Sequence, residues 1–77
     1  MNIKVLGSGC SRCKQAFQVV EKVVRNEQSD AQVEYITDIM QIMQYDVLST
    51  PAIVVDGKVR FAGGVPSEQQ VKDLLGL

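Results

Sequence analysis

Along the chain, apolar and polar positions alternate between the two-residue period of a strand and the 3.6-residue period of a helix. Asn2–Leu6 (NIKVL) is a short apolar run with β-branched residues, closed by Gly7-Ser8-Gly9, and predicts a strand. From Ser11 to about Glu27, Cys13, Ala16, Phe17, Val20, Val23 and Val24 recur at helical spacing. Lys14, Gln15, Gln18, Glu21, Lys22 and Arg25 hold the opposite face, so the segment predicts an amphipathic helix. A polar connection over 26–31 leads to a second strand over 33–37 (VEYIT). Asp38 with Gln41 three positions on reads as an N-cap and its capping-box partner, which predicts a short helix over 39–44. Pro51 opens an apolar run over 52–55, and Asp56-Gly57 is a two-residue hairpin signal pairing that run with 58–62. After Gly63-Gly64, Ser67 with Gln70 repeats the capping-box pattern, and Val71, Leu74 and Leu75 form the stripe of a last helix.

The resulting order is β-α-β-α-β-β-α, an α/β class. The β-α-β opening implies parallel strands joined by a right-handed crossover, and the closing hairpin adds an antiparallel edge. With 77 residues, the chain is expected to form one domain over 1–77, without repeats or linkers. Its 45% hydrophobic and 22% charged content is that of a folded globular chain.

Charge and composition exclude several function classes. A net charge of −1, dispersed basic residues and only four aromatics argue against nucleic acid as a partner. The apolar N-terminus is interrupted by Lys4 and followed by glycines, too short for a signal peptide, and no stretch approaches a membrane span. A cytoplasmic monomer is the expectation. There are two cysteines and no histidine, and in a reducing compartment paired cysteines point to redox chemistry or metal binding.

The two cysteines form Gly9-Cys10-Ser11-Arg12-Cys13, a C-x-x-C at a strand-to-helix junction. Cys10 is expected at the helix start, where free backbone N–H groups and the positive dipole end favour a thiolate, with Arg12 and Lys14 adding charge nearby. Cys13, one turn on, falls on the apolar face. Cys10 is therefore the candidate attacking thiol and Cys13 the resolving thiol, with Ser11 and Arg12 spacing them. Three other readings compete. A structural disulfide across so short a loop stabilises by only about 2 kcal/mol. Zinc would lack ligands, since two thiolates without histidine leave a tetrahedral ion incomplete. A copper-chaperone-like module also carries C-x-x-C after its first strand, but that family ends on a strand, and here no methionine precedes the motif as a soft ligand. Gly7-Ser8-Gly9 is no dinucleotide fingerprint, because Arg12 stands at the third glycine position. These glycines are read as letting the backbone turn and keeping Cys10 exposed. No cofactor or metal is expected.

C-x-x-C after a strand, Thr50-Pro51 before a V-x-V-D-G-K hairpin, then Gly63-Gly64 and a final helix together resemble the thioredoxin/glutaredoxin superfamily. The closest likeness is to its short redox-active-disulfide members, and it covers nearly the whole chain. The resemblance implies a minimal thioredoxin-like fold, a mixed four-stranded sheet with helices on both faces. It implies protein disulfide oxidoreductase activity on disulfide-containing clients, with a flavin-type thioredoxin reductase or the glutathione system as partner. A glutathione-coupled, glutaredoxin-like protein is the alternative within the same chemistry. It further implies a cis Thr50-Pro51 bond beside the sulfurs, with the Thr50 backbone pairing to substrate and Gly63 and Gly64 bordering the groove. Gly9, Ser11 and Arg12 are grouped with these as substrate-binding. Gly63 and Gly64 have a second reading, as bends in an edge strand. The chain departs from the thioredoxin pattern in lacking W-C-G-P-C, and Lys4 stands where thioredoxins bury an acid. No acid precedes Glu21. Lys4 is read as solvated, Tyr35 and Tyr45 as partly buried framework, and Ile39, Met40, Ile42 and Met43 as a packing face.

Overall fold

The computed structural model describes all 77 residues. Chain order gives β1 (Asn2–Leu6), α1 (Ser11–Asn26), β2 (Gln32–Ile36), α2 (Ile39–Met43), β3 (Ala52–Val55), β4 (Lys58–Ala62) and α3 (Glu68–Leu75). The sheet order is β2-β1-β3-β4, with β1 and β2 parallel and the other two pairings antiparallel. The central strands are the most apolar. Every residue of β3 is buried, which explains its continuous apolar run rather than an alternating one.

Strand alternation divides the core in two. Ile3, Val5, Ile53 and Val55 face α1 and α3, where they pack with Ala16, Val20, Val23, Val24, Val71 and Leu75. Leu6, Ala52 and Val54 face the other side and pack with Ile42 of α2. The sheet is thus covered on both faces, more thickly on the α1 side. Exposed ion pairs, Lys22–Glu68 at 3.2 Å and Lys72–Glu27 at 3.9 Å, link α1 to α3 and add little to that burial. No helix is long and apolar enough to cross a membrane.

Turn chemistry accounts for the connections. Asp56 and Gly57 both take positive φ (49° and 85°), as a tight hairpin turn requires. The Ser67 hydroxyl accepts from the Gln70 N–H while the Gln70 side chain accepts from the Ser67 N–H, a complete capping box opening α3.

Two segments differ from the sequence expectation. β2 begins one residue earlier and ends at Ile36, because its partner β1 sets its length: Asn2 pairs with Gln32 and Leu6 with Ile36. At α2, Asp38 caps the Met40 N–H, and the reciprocal bond from Gln41 is not formed. The helix ends at Met43, where Gln44, Tyr45 and Asp46 donate three residues back and tighten the last turn. One turn of helix turns only one apolar residue inward. Ile42 is buried, whereas Ile39, Met40 and Met43 are 59%, 68% and 64% exposed, so these four do not form the expected packing face.

Ser67→Ala removes one bond of the capping box and is expected to cost about 1 kcal/mol. Urea unfolding monitored by circular dichroism measures it, and an unchanged midpoint would show that α3 does not depend on its cap.

Candidate active site

β1 ends at Leu6, and Gly7 continues its line with an N–H donated to Ile36 O at 3.0 Å. Gly9, at φ +90°, reverses the backbone into α1. Cys10 is the N-cap of that helix, in extended conformation, and its carbonyl accepts the Lys14 N–H at 3.0 Å. Its side chain makes no capping bond to the backbone. Cys10 is exposed, Cys13 is fully buried, and both are free thiols. Their sulfurs lie 2.9 Å apart.

The pair is electrostatically unequal. The pKa of Cys10 is lowered, chiefly because the Cys13 thiol can donate to a Cys10 thiolate. The backbone N–H groups of Cys13 and Arg12 act in the same sense, and partial desolvation opposes them. The side-chain charges of Arg12 and Lys14, both exposed, are not among the causes, so Arg12 contributes through its peptide rather than its guanidinium. Lys4 is not solvated as expected: it is half-buried on the α2 face of β1, with Nζ 3.4 Å from the Tyr45 hydroxyl.

Two residues at this site carry more than the sequence reading assigned. Gly7 is a close approach rather than a turn. A Cβ placed there would stand 2.5 Å from both Cβ and Sγ of Cys13 and 3.5 Å from Cε1 of Tyr35. Tyr35, read as framework, therefore borders the gap that Cys13 fills. Its ring stacks on Phe17 at 5.0 Å and 15°. Its hydroxyl is buried, and its O–H has no protein acceptor. Its pKa is raised by that burial first, then by the charges of Cys13 and Cys10, with the Gly9 N–H acting against the rise. The signal in the sequence was the two-residue period of β2, which puts a phenol on the α1 face.

The second half of the site comes from β3 and β4. Leu6 pairs with Ala52, so the same antiparallel register sets Pro51 next to Gly7. The Thr50-Pro51 peptide is cis, Pro51 is buried, and its carbonyl accepts the Gly63 N–H at 2.9 Å. Gly63 (φ +79°) would bring a Cβ to 2.8 Å from Ser49 Oγ, whereas Gly64 (φ +111°) faces open space. Thr50 and Ser8 share the wall of a cleft of about 290 Å³, whose far side is apolar through Ile39, Met43 and Leu48. Ser11 and Arg12 are exposed on the first turn of α1. No group of three or more His, Cys, Asp or Glu side chains is placed to hold a metal ion.

The Cys13 thiol is the largest influence lowering the Cys10 pKa, so Cys13→Ala is expected to move Cys10 ionisation to higher pH. The pH dependence of iodoacetamide alkylation reads this, and a midpoint that stays put would contradict it. Gly7→Ala forces Cys13 or the backbone aside and is expected to destabilise by about 1–3 kcal/mol, measured by urea unfolding.

The sequence matches the family model described as a thioredoxin domain over residues 1–76. It is 33% identical over 73 residues to a thioredoxin of Methanocaldococcus jannaschii, covering 95% of this chain and 84% of that one. A thioredoxin of Methanothermobacter thermautotrophicus is 29% identical over 75 residues, 97% of each chain. A further Methanocaldococcus jannaschii thioredoxin is 39% identical over 67 residues, 82% of this chain and 78% of the other. The mixed four-stranded sheet with three helices agrees in order with that match, and the chain belongs to the thioredoxin domain family.

Proposed function

We propose that this protein is a thiol–disulfide oxidoreductase that reduces disulfides in client proteins through Cys10 and Cys13. The observation that carries the reading is the unequal sulfur pair: an exposed Cys10 at the N-cap of α1, 2.9 Å from a buried Cys13. The relatives named as thioredoxins support it.

In this reading the Cys10 thiolate attacks a client disulfide, and one client sulfur leaves as a thiolate that takes a proton from water. Cys13 then loses its proton to solvent and attacks Cys10 Sγ. The bond between Cys10 and the client breaks, and the second client sulfur leaves. Two electrons pass to the client, and a Cys10–Cys13 disulfide remains, to be reduced by a flavin-type thioredoxin reductase or by the glutathione system. The client segment lies in an extended form along Thr50 and Pro51, bordered by Gly9, Ser11, Arg12, Gly63 and Gly64. The exposed cleft beside Thr50 takes an apolar side chain flanking the client cysteine.

Insulin reduction with dithiothreitol tests the reading. Cys10→Ser is expected to abolish catalysis, and Cys13→Ser to accumulate a covalent client adduct that reductant releases. A Cys10→Ser protein as active as the unmodified chain would defeat it. Turnover with glutathione and its reductase, set against a flavin-type thioredoxin reductase, identifies the electron source.

A further inference from the structure

In the dithiol form, the two sulfurs face each other and the Cys13 thiol can donate to Cys10. Once Cys10 is bound to a client, that arrangement ends. Cys13 must then act from a fully buried position, where a charge needs a hydrogen-bond donor beside it. None of the nine carboxylates is among the groups that perturb Cys10 or Tyr35. Lys4, the charged residue of β1, points to the other face of the sheet, toward Tyr45.

The Tyr35 hydroxyl lies on the Cys13 side of the sheet. It is buried and its O–H finds no acceptor, a state that costs stability unless the site has a use for the free donor. Phe17 fixes the ring by stacking, and the ring edge borders the same gap beside Gly7 as Cys13 Sγ. Burial and the neighbouring sulfur charges keep this phenol protonated, hence a donor and not a base. The titratable groups that act on it are the two cysteines, both on the α1 side, while Phe17, Gly7 and Val5 supply no charge.

We propose that Tyr35 is a positioning residue for the resolving step: its hydroxyl donates a hydrogen bond to the Cys13 thiolate that forms while Cys10 is held in the mixed disulfide. The inference rests on the proposed division of roles, in which Cys10 attacks and Cys13 resolves. The proton lost by Cys13 goes to solvent, and Tyr35 keeps its own. The anion is stabilised at the moment it displaces the client sulfur from Cys10.

The reaction of the reduced full chain with 5,5′-dithiobis(2-nitrobenzoate) separates the two steps, since each displacement releases one coloured thiolate. The first release reports attack by Cys10 and the second displacement by Cys13. In Tyr35→Phe, the second release is expected to slow about tenfold relative to the first at neutral pH. Its pH profile moves about one unit upward, and the deficit disappears in alkali. Because this variant keeps the stacked ring and deletes a buried hydroxyl that donates to no protein acceptor, its thermal midpoint stays level or rises. An unchanged ratio of the two releases, or a deficit equal at every pH, overturns the role of Tyr35. Failure of the underlying reading looks different: Cys10→Ser, left with Cys13 alone, would give its single release as fast as the first release of the unmodified chain.

Discussion

The end of β1 and the start of α1 approach more closely than any side chain at position 7 allows. Cys13 occupies the space a Gly7 Cβ would need, with its Cβ and Sγ both 2.5 Å from that point. The rest of the site follows from this contact. Cys13 is buried there, Cys10 stays outside as the N-cap, and the β1–β3 register brings Pro51 to the same spot. Further along α1, Ala16, Val20, Val23 and Val24 lock into the core, so the helix is held along its length as well as at its tip. A helix fixed this way presents its first turn in one position, which is the preorganisation that nucleophilic attack needs.

The two sulfurs gain opposite properties from positions one turn apart. Cys10 has water, a helix N-terminus and a facing thiol, all of which favour charge. Cys13 is fully buried. That inequality assigns an order to two chemically identical groups. Side-chain cations contribute little here, since the lowering of the Cys10 pKa comes from a thiol and from peptide N–H groups fixed by the helix itself. Such donors are already oriented before reaction and need no rearrangement.

The sequence made local features legible and left lateral ones hidden. Hydrophobic period, the Asp56-Gly57 turn and the Ser67–Gln70 box located all seven elements, because each signal lies within a few residues of what it specifies. The exposed Cys10 and buried Cys13 were likewise readable from one amphipathic stripe. The limits of β2 were not, since pairing to β1 decides them. Nor was the solvent-facing side of α2, where a single turn has too little surface to bury four apolar residues. The closeness of Gly7 and Tyr35 to Cys13 was hidden for a shared reason. One lies 28 residues from the other in sequence, and only the parallel register brings both against Cys13. Lys4 was misplaced because Tyr45, the group that receives it, lies across the sheet in a separate loop.

α2 is attached to the sheet by one side chain, Ile42, whereas α1 buries five. The free energy needed to detach that single turn is correspondingly a small fraction of the whole, so local opening concentrates there. Ile39, Met43 and Leu48, the outer wall of the cleft, belong to this loosely tethered segment. The molecule consequently sets a firmly held thiol beside a compliant wall. Flexible thioethers and aliphatic tips on such a wall can repack around side chains of differing shape.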